Sequence, residues 1–354
     1  MATLTIEDRA WSTPVPASRG VLLDDALRAR IPVPHQCRAG ECGVCKCRVI
    51  HGDVVSDDAP SPALTAAERR DGWILPCRTR ALSDVTVRYP VALPARKPAE
   101  QRLAAQIRAC ARVEPGIVRL DVETVKPLDF HAGQYVRLRF PGLPARMYSP
   151  ANAPGTGLLR FYIRVVPNGL VSRHIAEHAK LGRRLQVIGP GGDACLTDAP
   201  AGPLLLVGGG SGLAPLLSIL ERLAQETPAT PIWLYTDQRT EQPLLAGKPL
   251  KALEARLAGL RIVATPQTSN RNPTTPLPLA AAIRRDHASL AGFSVFTAGS
   301  PQVVAQIRDM VTGLGVAETD VKSDPFIAQR RGQESLLARL RAGWPFSRGL
   351  RATG

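Results

Sequence analysis

The sequence predicts a multidomain protein of mixed α+β and α/β class, and three stretches with different hydrophobic patterns carry that prediction. Residues 1–90 combine short strands with one helix, and residues 100–199 contain successive short β patterns. From about residue 202 onward, buried strands alternate with helices. The chain has 354 residues, which is enough for two or three domains that each bury a core.

The first stretch has the pattern of a small sheet with one helix. Residues 2–15 predict an opening hairpin, and the apolar spacing of residues 21–28 predicts the helix. Residues 46–50 and 82–89 alternate apolar and polar side chains, which is typical of strands with one buried face. Residues 90–98 contain three prolines and predict an extended linker.

The second stretch predicts a small antiparallel barrel. Residues 117–122, 135–140 and 159–166 are short β patterns separated by turns rich in Gly and Pro. A helix is predicted at residues 170–179.

The third stretch predicts a parallel sheet covered by helices. Four short apolar runs, at residues 204–207, 232–235, 262–264 and 294–296, predict strands, and residues 214–224 predict a helix after the first of them. Continuous apolar strands that alternate with helices are typical of parallel sheets with both faces buried.

Four cysteines have the spacing of a two-iron, two-sulfur cluster. Cys37, Cys42 and Cys45 follow the pattern C-x4-C-x2-C, and Cys77 comes later in the chain. In plant-type clusters three thiolates come from one tight loop and the fourth from elsewhere. The alternatives are a zinc site or scattered structural thiols, but zinc sites usually pair two short C-x2–4-C units and only one is present. The pattern therefore predicts one-electron chemistry.

A glycine loop at residues 208–215 lies between a predicted buried strand and a helix. In that context backbone N–H groups and the helix N-terminus can hold a pyrophosphate. Pro215 departs from the G-x-G-x-x-G fingerprint, and a tight turn without a ligand is the alternative. Asp237 follows the second strand and could accept hydrogen bonds from an adenosine ribose, which favours NADH. Arg239 could instead bind a 2′-phosphate, so NADPH is possible.

The run Arg146-Met147-Tyr148-Ser149 carries groups suited to a heterocyclic cofactor with a diphosphate. An arginine can pair with a diphosphate, a tyrosine ring can stack on a planar heterocycle, and a serine hydroxyl can bond a ring nitrogen. With the cysteines before this run and the glycine loop after it, the chain resembles the ferredoxin–NADP reductase superfamily. Within it, the chain is similar to the reductase component of aromatic-ring-hydroxylating (naphthalene-dioxygenase-type) oxygenases. That likeness covers residues 1–326.

The resemblance implies three domains and a tail. A β-grasp-like, plant-type 2Fe–2S ferredoxin domain is expected at residues 1–92 and an antiparallel FAD-binding β-barrel at residues 99–199. A parallel-sheet NAD(P)-binding domain is expected at residues 200–326. Residues 327–354 are expected to form a basic, partly disordered tail.

The resemblance also assigns residues to the cofactors. The four cysteines of the C-x4-C-x2-C…C pattern ligate the cluster, and Cys47 does not. Tyr148 stacks on the isoalloxazine and Ser149 lies near flavin N5, so these two are the expected catalytic residues. The other expected cofactor-binding residues are Arg146, Ile163, Val165, Gly169, Val171 and Ser172 for the flavin, and Gly209, Gly210, Ser211, Gly212, Asp237, Arg239 and Gly299 for the dinucleotide. Phe326, which matches the family's aromatic-bearing terminus, is also an expected cofactor-binding residue.

The function implied by the resemblance is electron transfer from NAD(P)H through FAD and the 2Fe–2S cluster. The electrons then pass to a terminal oxygenase that hydroxylates an aromatic compound, or to an intermediary ferredoxin. Alternatives are a reductase of a soluble diiron monooxygenase or deoxysugar dehydrase, and a redox-sensing module without turnover. Ala298 stands where many relatives carry a cysteine, so slower hydride transfer or a differently seated nicotinamide is expected.

Charge and composition bear on partners and location. The net charge is +15, yet residues 1–90 hold 12 Lys and Arg against 11 Asp and Glu, so the excess lies later in the chain. No helix-turn-helix, zinc finger or stacking-aromatic pattern indicates specific nucleic-acid binding. We expect no signal peptide and no membrane segment, because neither pattern is present. Seven cysteines, four in the cluster pattern, fit a reducing compartment, so a cytoplasmic location is expected. We also expect a monomer.

Overall fold

The computed structural model describes most of the chain as two compact units, residues up to Ala99 and Glu100–Phe326. Most of the predicted linker, nearly all of the basic tail and Arg239 lie outside the described residues. Among the residues that are described, none of the helices has the length and apolar content that crossing a bilayer requires. The described residues are 2–7, 15–16, 20–57, 60–91, 93, 98–226, 230–238, 248–266 and 278–327.

The first unit is a five-stranded sheet with one helix packed against it. The elements are β1 (Thr3–Ile6), β2 (Val15–Pro16), α1 (Leu22–Arg28), β3 (Cys47–His51), β4 (Val54–Ser56), α2 (Ala66–Arg70), β5 (Trp73–Ile74), β6 (Thr79–Ala81) and β7 (Val85–Arg88), with a 3-10 turn at Pro76–Arg78. The sheet order is β2-β1-β7-β3-β5, with β1 and β7 parallel and the other neighbours antiparallel, while β4 pairs with β6 separately.

The predicted hairpin, helix and alternating strands of this unit are confirmed. Alternate residues of β1, Leu4 and Ile6, are buried against Leu22 and Leu23 of α1, which is why the period-two pattern marked the strand. The closing strand starts at Val85, three residues later than predicted, because the preceding residues form a bend with Leu82 62% exposed.

The second unit begins with an antiparallel half. Its six strands have the order β11-β10-β13-β8-β9-β12, and every neighbouring pair is antiparallel, as predicted. The sequence patterns did not single out β8 and β13, although Leu103, Ala105 and Ile107 of β8 and Leu185 and Val187 of β13 are buried at alternate positions. The elements of this half are β8 (Gln101–Glu114), β9 (Ile117–Thr124), β10 (Tyr135–Arg139), β11 (Arg146–Tyr148), β12 (Leu158–Arg164), α3 (Leu170–His178) and β13 (Arg184–Gly191).

A parallel half completes the second unit. Its sheet has the order β16-β15-β14-β17-β18, with every pair parallel, and helices cover both faces. The four predicted strands are confirmed, and β18 was missed because its sequence is mostly polar. The elements are β14 (Leu204–Gly208), α4 (Leu213–Glu226), β15 (Ile232–Gln238), α5 (Lys248–Arg256), β16 (Leu260–Pro266), α6 (Pro278–Asp286), β17 (Ser294–Gly299), α7 (Pro301–Gly313) and β18 (Val321–Pro325), with 3-10 turns at Gly210–Gly212 and Glu318–Asp320.

One hydrophobic core is shared by the two halves of the second unit. Ile117 and Tyr162 of the antiparallel half belong to the same buried cluster as Leu213 and Leu216 of α4. The hydroxyl of Ser218 in α4 also donates to the carbonyl oxygen of Asn152 in the antiparallel half at 2.8 Å. This packing brings the end of β12 beside the glycine loop that precedes α4.

Candidate functional site

The four cysteines of the cluster pattern come together in the first unit as two pairs. The Sγ atoms of Cys45 and Cys77 are 3.5 Å apart, and the Cys37 N–H points at the Cys42 Sγ at 3.5 Å. A two-iron cluster held by four thiolates needs two sulfurs on each iron, and this pairing supplies them. The donor set therefore fits a 2Fe–2S cluster.

The loop that carries three of these cysteines is shaped by hydrogen bonds to sulfur. The N–H groups of Ala39 and Glu41 each lie 3.4 Å from the Cys37 Sγ. Gly40, between them, has φ +80°, a left-handed conformation that other residues rarely adopt. The Ser61 hydroxyl donates to the Gly40 carbonyl oxygen. The loop thus presents backbone donors to a ligand sulfur.

Hydrogen bonds within the two cysteine pairs shift the pKa values of their thiols. A hydrogen bond from Cys42, assisted by backbone N–H groups, lowers the pKa of Cys37 to about 6 although burial opposes this. Since the two sulfurs share one proton, the pKa of Cys42 is raised. The hydrogen bond between Cys45 and Cys77 likewise lowers the pKa of Cys45 and raises that of Cys77. Each pair therefore contains one thiol with a lowered pKa and one with a raised pKa.

Cys47 differs from these four. It lies in β3 with no solvent exposure, and burial raises its pKa well above the ordinary value for a thiol. Its side chain is hydrogen-bonded to Tyr89, which is itself buried. These contacts are those of a core residue.

The flavin motif forms β11, an edge strand of the antiparallel sheet. Tyr148 pairs with Val136 of β10 and packs against the core of the antiparallel half. Burial raises the pKa of Tyr148, so the phenol stays neutral. The Arg146 Nη1 donates to the carbonyl oxygen of Ala145 at 3.0 Å, which leaves the other guanidinium nitrogens for a diphosphate. The motif therefore brings together an arginine, a tyrosine and a serine that fit a flavin.

A second segment of the antiparallel half fits a diphosphate through its backbone. Gly169 is the N-cap residue of α3, and the Ser172 hydroxyl accepts a hydrogen bond from the Val166 N–H at 3.1 Å. Ile163 and Val171 are buried in the core. Of these predicted residues, Ile163 and Val171 can therefore offer a ligand only main-chain groups, and the same holds for Gly169. Val165 is partly buried against the same core.

The C-terminal strand brings an acidic residue to the flavin motif. The Ser149 hydroxyl donates to Asp324 Oδ2 at 3.3 Å, and both residues are buried. Asp324 lies beside Ala298 in the register of β18 and β17, and the Phe326 N–H donates to the Gly299 carbonyl oxygen at 2.7 Å. The sequence patterns did not single out Asp324. The only signal was its position two residues before Phe326.

The glycine loop lies where the order of the parallel sheet reverses. From β14 the chain moves outward to β15 and β16 on one side, and later to β17 and β18 on the other. Ligands of such sheets bind at this point, at the carboxyl ends of the strands. A Cβ on Gly208 would lie 2.7 Å from the Ala298 carbonyl oxygen, and one on Gly212 would overlap that oxygen. A side chain at either position would therefore clash with the backbone of β17.

Two charged side chains flank this loop. A Cβ on Gly209 would overlap the carboxylate of Asp237, and one on Gly210, with φ +53°, would overlap the Arg164 guanidinium. Asp237 lies within β15 rather than after it, so its carboxylate is held against the loop. Arg164, from the end of β12, was missed because it lay between two residues assigned to the flavin. Ser211, in the 3-10 turn, completes a cradle of backbone groups that fits a dinucleotide pyrophosphate.

Three protein-family models match the chain in the order of these sites. A 2Fe-2S iron-sulfur cluster binding domain matches residues 4–82, an oxidoreductase FAD-binding domain residues 103–195, and an oxidoreductase NAD-binding domain residues 206–309. A reductase component of naphthalene 1,2-dioxygenase/salicylate 5-hydroxylase systems from Ralstonia is 33% identical over 317 residues, covering 88% of this chain and 94% of the relative. The chain belongs to the reductase components of aromatic-ring-hydroxylating oxygenases.

Further relatives of this reductase component are also reductases of oxygenase or cytochrome P450 systems. The reductase component of the naphthalene 1,2-dioxygenase system of Pseudomonas putida is 31% identical and covers 88% of this chain and 95% of its own. Among solved structures, a cytochrome P450 reductase of Amycolatopsis has a TM-score of 0.80 at 28% identity, covering 92% of this chain and 99% of its own. The ferredoxin reductase of carbazole 1,9a-dioxygenase has a TM-score of 0.69 at 27% identity, covering 92% and 98%.

The reductase is therefore an oxidoreductase that carries electrons from NAD(P)H through FAD and a 2Fe–2S cluster to an oxygenase or ferredoxin partner. This confirms the fold class, the cofactors and the general function expected from the sequence.

Proposed function

We propose that this reductase takes a hydride from NADH beside the flavin motif and delivers single electrons to an oxygenase that hydroxylates an aromatic compound. The observation that carries the proposal is the 3.3 Å contact between Ser149 and Asp324. It puts the flavin motif next to the carboxyl edge of the parallel sheet, where the glycine loop lies. One site can therefore hold a flavin and a nicotinamide together, and the naphthalene-dioxygenase-type relatives support the aromatic oxygenase as acceptor.

The bound groups divide the chemistry, since a flavin can accept a hydride and a plant-type cluster takes up one electron at a time. The residues bind and orient those groups. Arg146 pairs with the flavin diphosphate, Tyr148 covers the ring and the Gly169–Ser172 backbone holds the phosphates. The backbone of Gly209, Gly210, Ser211 and Gly212 holds the dinucleotide, with Asp237 at its ribose and Gly299 and Phe326 at the nicotinamide. The four cysteines Cys37, Cys42, Cys45 and Cys77 ligate the cluster.

Arg146 contributes the charge that retains the flavin. We expect Arg146→Gln to weaken FAD binding about 10- to 150-fold, because a charge-assisted pair worth about 1.5–3 kcal/mol is lost. Titration of flavin-free protein with FAD, followed by fluorescence, measures the change. Arg108→Gln is the matched control, since its partner is Glu123 and both side chains are exposed on neighbouring strands of the same unit. Equal FAD affinity in the Arg146 variant and the wild type would contradict the assignment.

Ser149 orients the reacting centre. Its hydroxyl donates its proton to Asp324 and can accept a hydrogen bond from a ring N–H of the reduced flavin, so Ser149→Ala is expected to slow flavin reduction by NADH about 10- to 100-fold, or about 1.4–2.8 kcal/mol. Stopped-flow absorbance measures this rate, with FAD content as the check on binding. Ser218→Ala removes another buried serine hydrogen bond of the same unit and should leave the rate within twofold. A rate within twofold for Ser149→Ala as well would remove Ser149 from the site.

A second acceptor class has specific support. The cytochrome P450 reductase of Amycolatopsis has a higher TM-score, 0.80, than the carbazole dioxygenase reductase, 0.69. A P450 acceptor is therefore the alternative to a ring-hydroxylating oxygenase. NADH-driven product formation with a purified Rieske oxygenase, compared with a purified P450, would separate the two. A wild-type protein without flavin, or without two irons per chain, would refute the common proposal.

The domain limits and the state in the cell belong to the same proposal. We propose domains at residues 1–92, 99–199 and 200–326 with a basic tail at 327–354, and a cytoplasmic monomer that binds no specific nucleic acid and no membrane. The three family matches fall inside these limits. Limited proteolysis with mass measurement tests the limits, and light scattering tests the monomer.

A further inference from the structure

Arg78, the residue after Cys77, forms a partly buried ion pair with Asp57. Its Nη2 bonds Asp57 Oδ1, and the two side chains are only 11% and 20% exposed. The Asp57 N–H also donates to the Arg78 carbonyl oxygen at 3.2 Å. Backbone and side chain therefore both join the two residues, so the position of the guanidinium is fixed.

The guanidinium lies against the middle of the cysteine loop. A Cβ placed on Gly40 would overlap Arg78 Cδ and would lie 2.9 Å from its Nη1 and 3.0 Å from its Nε. Gly40 is flanked by Ala39 and Glu41, whose N–H groups point at the Cys37 Sγ. Arg78 thus covers the peptide segment that supplies both of these donors.

This placement has an electrostatic consequence. Reduction adds a negative charge to an iron–sulfur cluster, and nearby charges, N–H···S hydrogen bonds and solvent exposure set its potential. A cation held out of bulk water is screened less than one on the surface, so it stabilises the reduced form more. Asp57 opposes this charge while it holds the guanidinium in place.

We propose that Arg78, held by Asp57, is a positioning residue that raises the reduction potential of the cluster. It does so by its charge and by keeping the Ala39 and Glu41 amides on the Cys37 sulfur. The inference rests on the proposed ligation of the cluster by the four cysteines. It adds a residue that controls how readily the cluster accepts an electron.

The test is a redox titration of the purified holoprotein, followed by visible absorbance and electron paramagnetic resonance. At a fixed potential, Arg78→Gln is expected to lower the ratio of reduced to oxidised cluster about tenfold, which is about 59 mV for one electron. Arg78→Lys keeps the charge without the planar fork, so a smaller decrease is expected. Asp57→Asn removes the opposing charge but keeps an amide oxygen that can accept a hydrogen bond from the Arg78 guanidinium, so the ratio should rise. The opposite signs distinguish an electrostatic role from mere support of the fold.

Arg88→Gln is the matched control, because it makes the same substitution in an exposed pair with Glu7 of the same unit. Its ratio should stay within twofold of the wild type. A twofold or smaller effect of Arg78→Gln, or shifts of the same sign for Arg78→Gln and Asp57→Asn, would overturn the inference. If Arg78→Gln loses its iron, the cluster potentials of Arg78→Lys and Asp57→Asn must still shift in opposite directions from that of the wild type. Equal potentials in these two variants would overturn the inference. A wild-type protein without iron would instead refute the cluster itself.

Discussion

Cys77→Ser is expected to abolish delivery of electrons to a one-electron protein acceptor while leaving the flavin reaction in place. Cys77 is paired with Cys45 at 3.5 Å, and a hydroxyl is a poor replacement for a thiolate on iron. Iron should fall well below two atoms per chain, and NADH-dependent reduction of cytochrome c should drop at least about 100-fold, which is about 2.7 kcal/mol or more in barrier. NADH-dependent reduction of ferricyanide, which needs only the flavin, should persist.

The matched control for this experiment is Cys47→Ala. Cys47 lies two residues from a predicted ligand, yet its contacts are those of a core residue, so this variant should keep two irons and its cytochrome c activity. Iron and sulfide analysis with the visible spectrum measures the outcome. Full iron content in Cys77→Ser, or loss of iron in Cys47→Ala, would show that the ligand set is assigned wrongly.

Gly212→Ala is expected to produce the largest loss on the nucleotide side. The new methyl group would overlap the Ala298 carbonyl oxygen and approach Gly299 Cα at 3.2 Å, so backbone rather than a flexible side chain would have to move. Overpacking of this kind costs about 1–3 kcal/mol. Because the displaced backbone forms the pyrophosphate cradle, we expect the KM for NADH to rise about 10- to 100-fold at unchanged FAD content.

Gly313→Ala is the control for this variant, since a Cβ at Gly313, at the end of α7, would meet nothing within 4 Å. Its KM for NADH should match that of the wild type. Stopped-flow binding of NADH to the oxidised protein separates weaker binding from slower hydride transfer. An unchanged KM in Gly212→Ala would mean that the dinucleotide does not use this loop.

The sequence predicted most of the elements that carry local signals. The spacing of Cys37, Cys42 and Cys45 needs no tertiary information, because three ligands come from one loop, and the glycine loop is recognisable from the apolar strand before it. The buried strands of the parallel half were found because both of their faces are covered, which makes their sequences continuously apolar.

What the sequence missed depends on contacts between distant segments. Asp324 meets Ser149 across 175 positions, and its polar strand has no apolar period to mark it. Arg164 looked like part of a flavin strand, although its guanidinium lies over Gly210. In the sequence Arg78 is marked only by its position after Cys77, and the fold brings its side chain against Gly40. No pattern along one segment reports such pairs.

The shared core of the second unit limits how this protein could be rearranged. Side chains such as Ile117 and Tyr162 are buried by α4, so a chain cut between the flavin-binding and dinucleotide-binding segments would expose apolar surface on both fragments. Among the described residues, the buried cluster of the first unit is built from residues of that unit. We therefore expect that gene fusion or exchange among electron-transfer chains keeps the flavin-binding and dinucleotide-binding segments together as one piece.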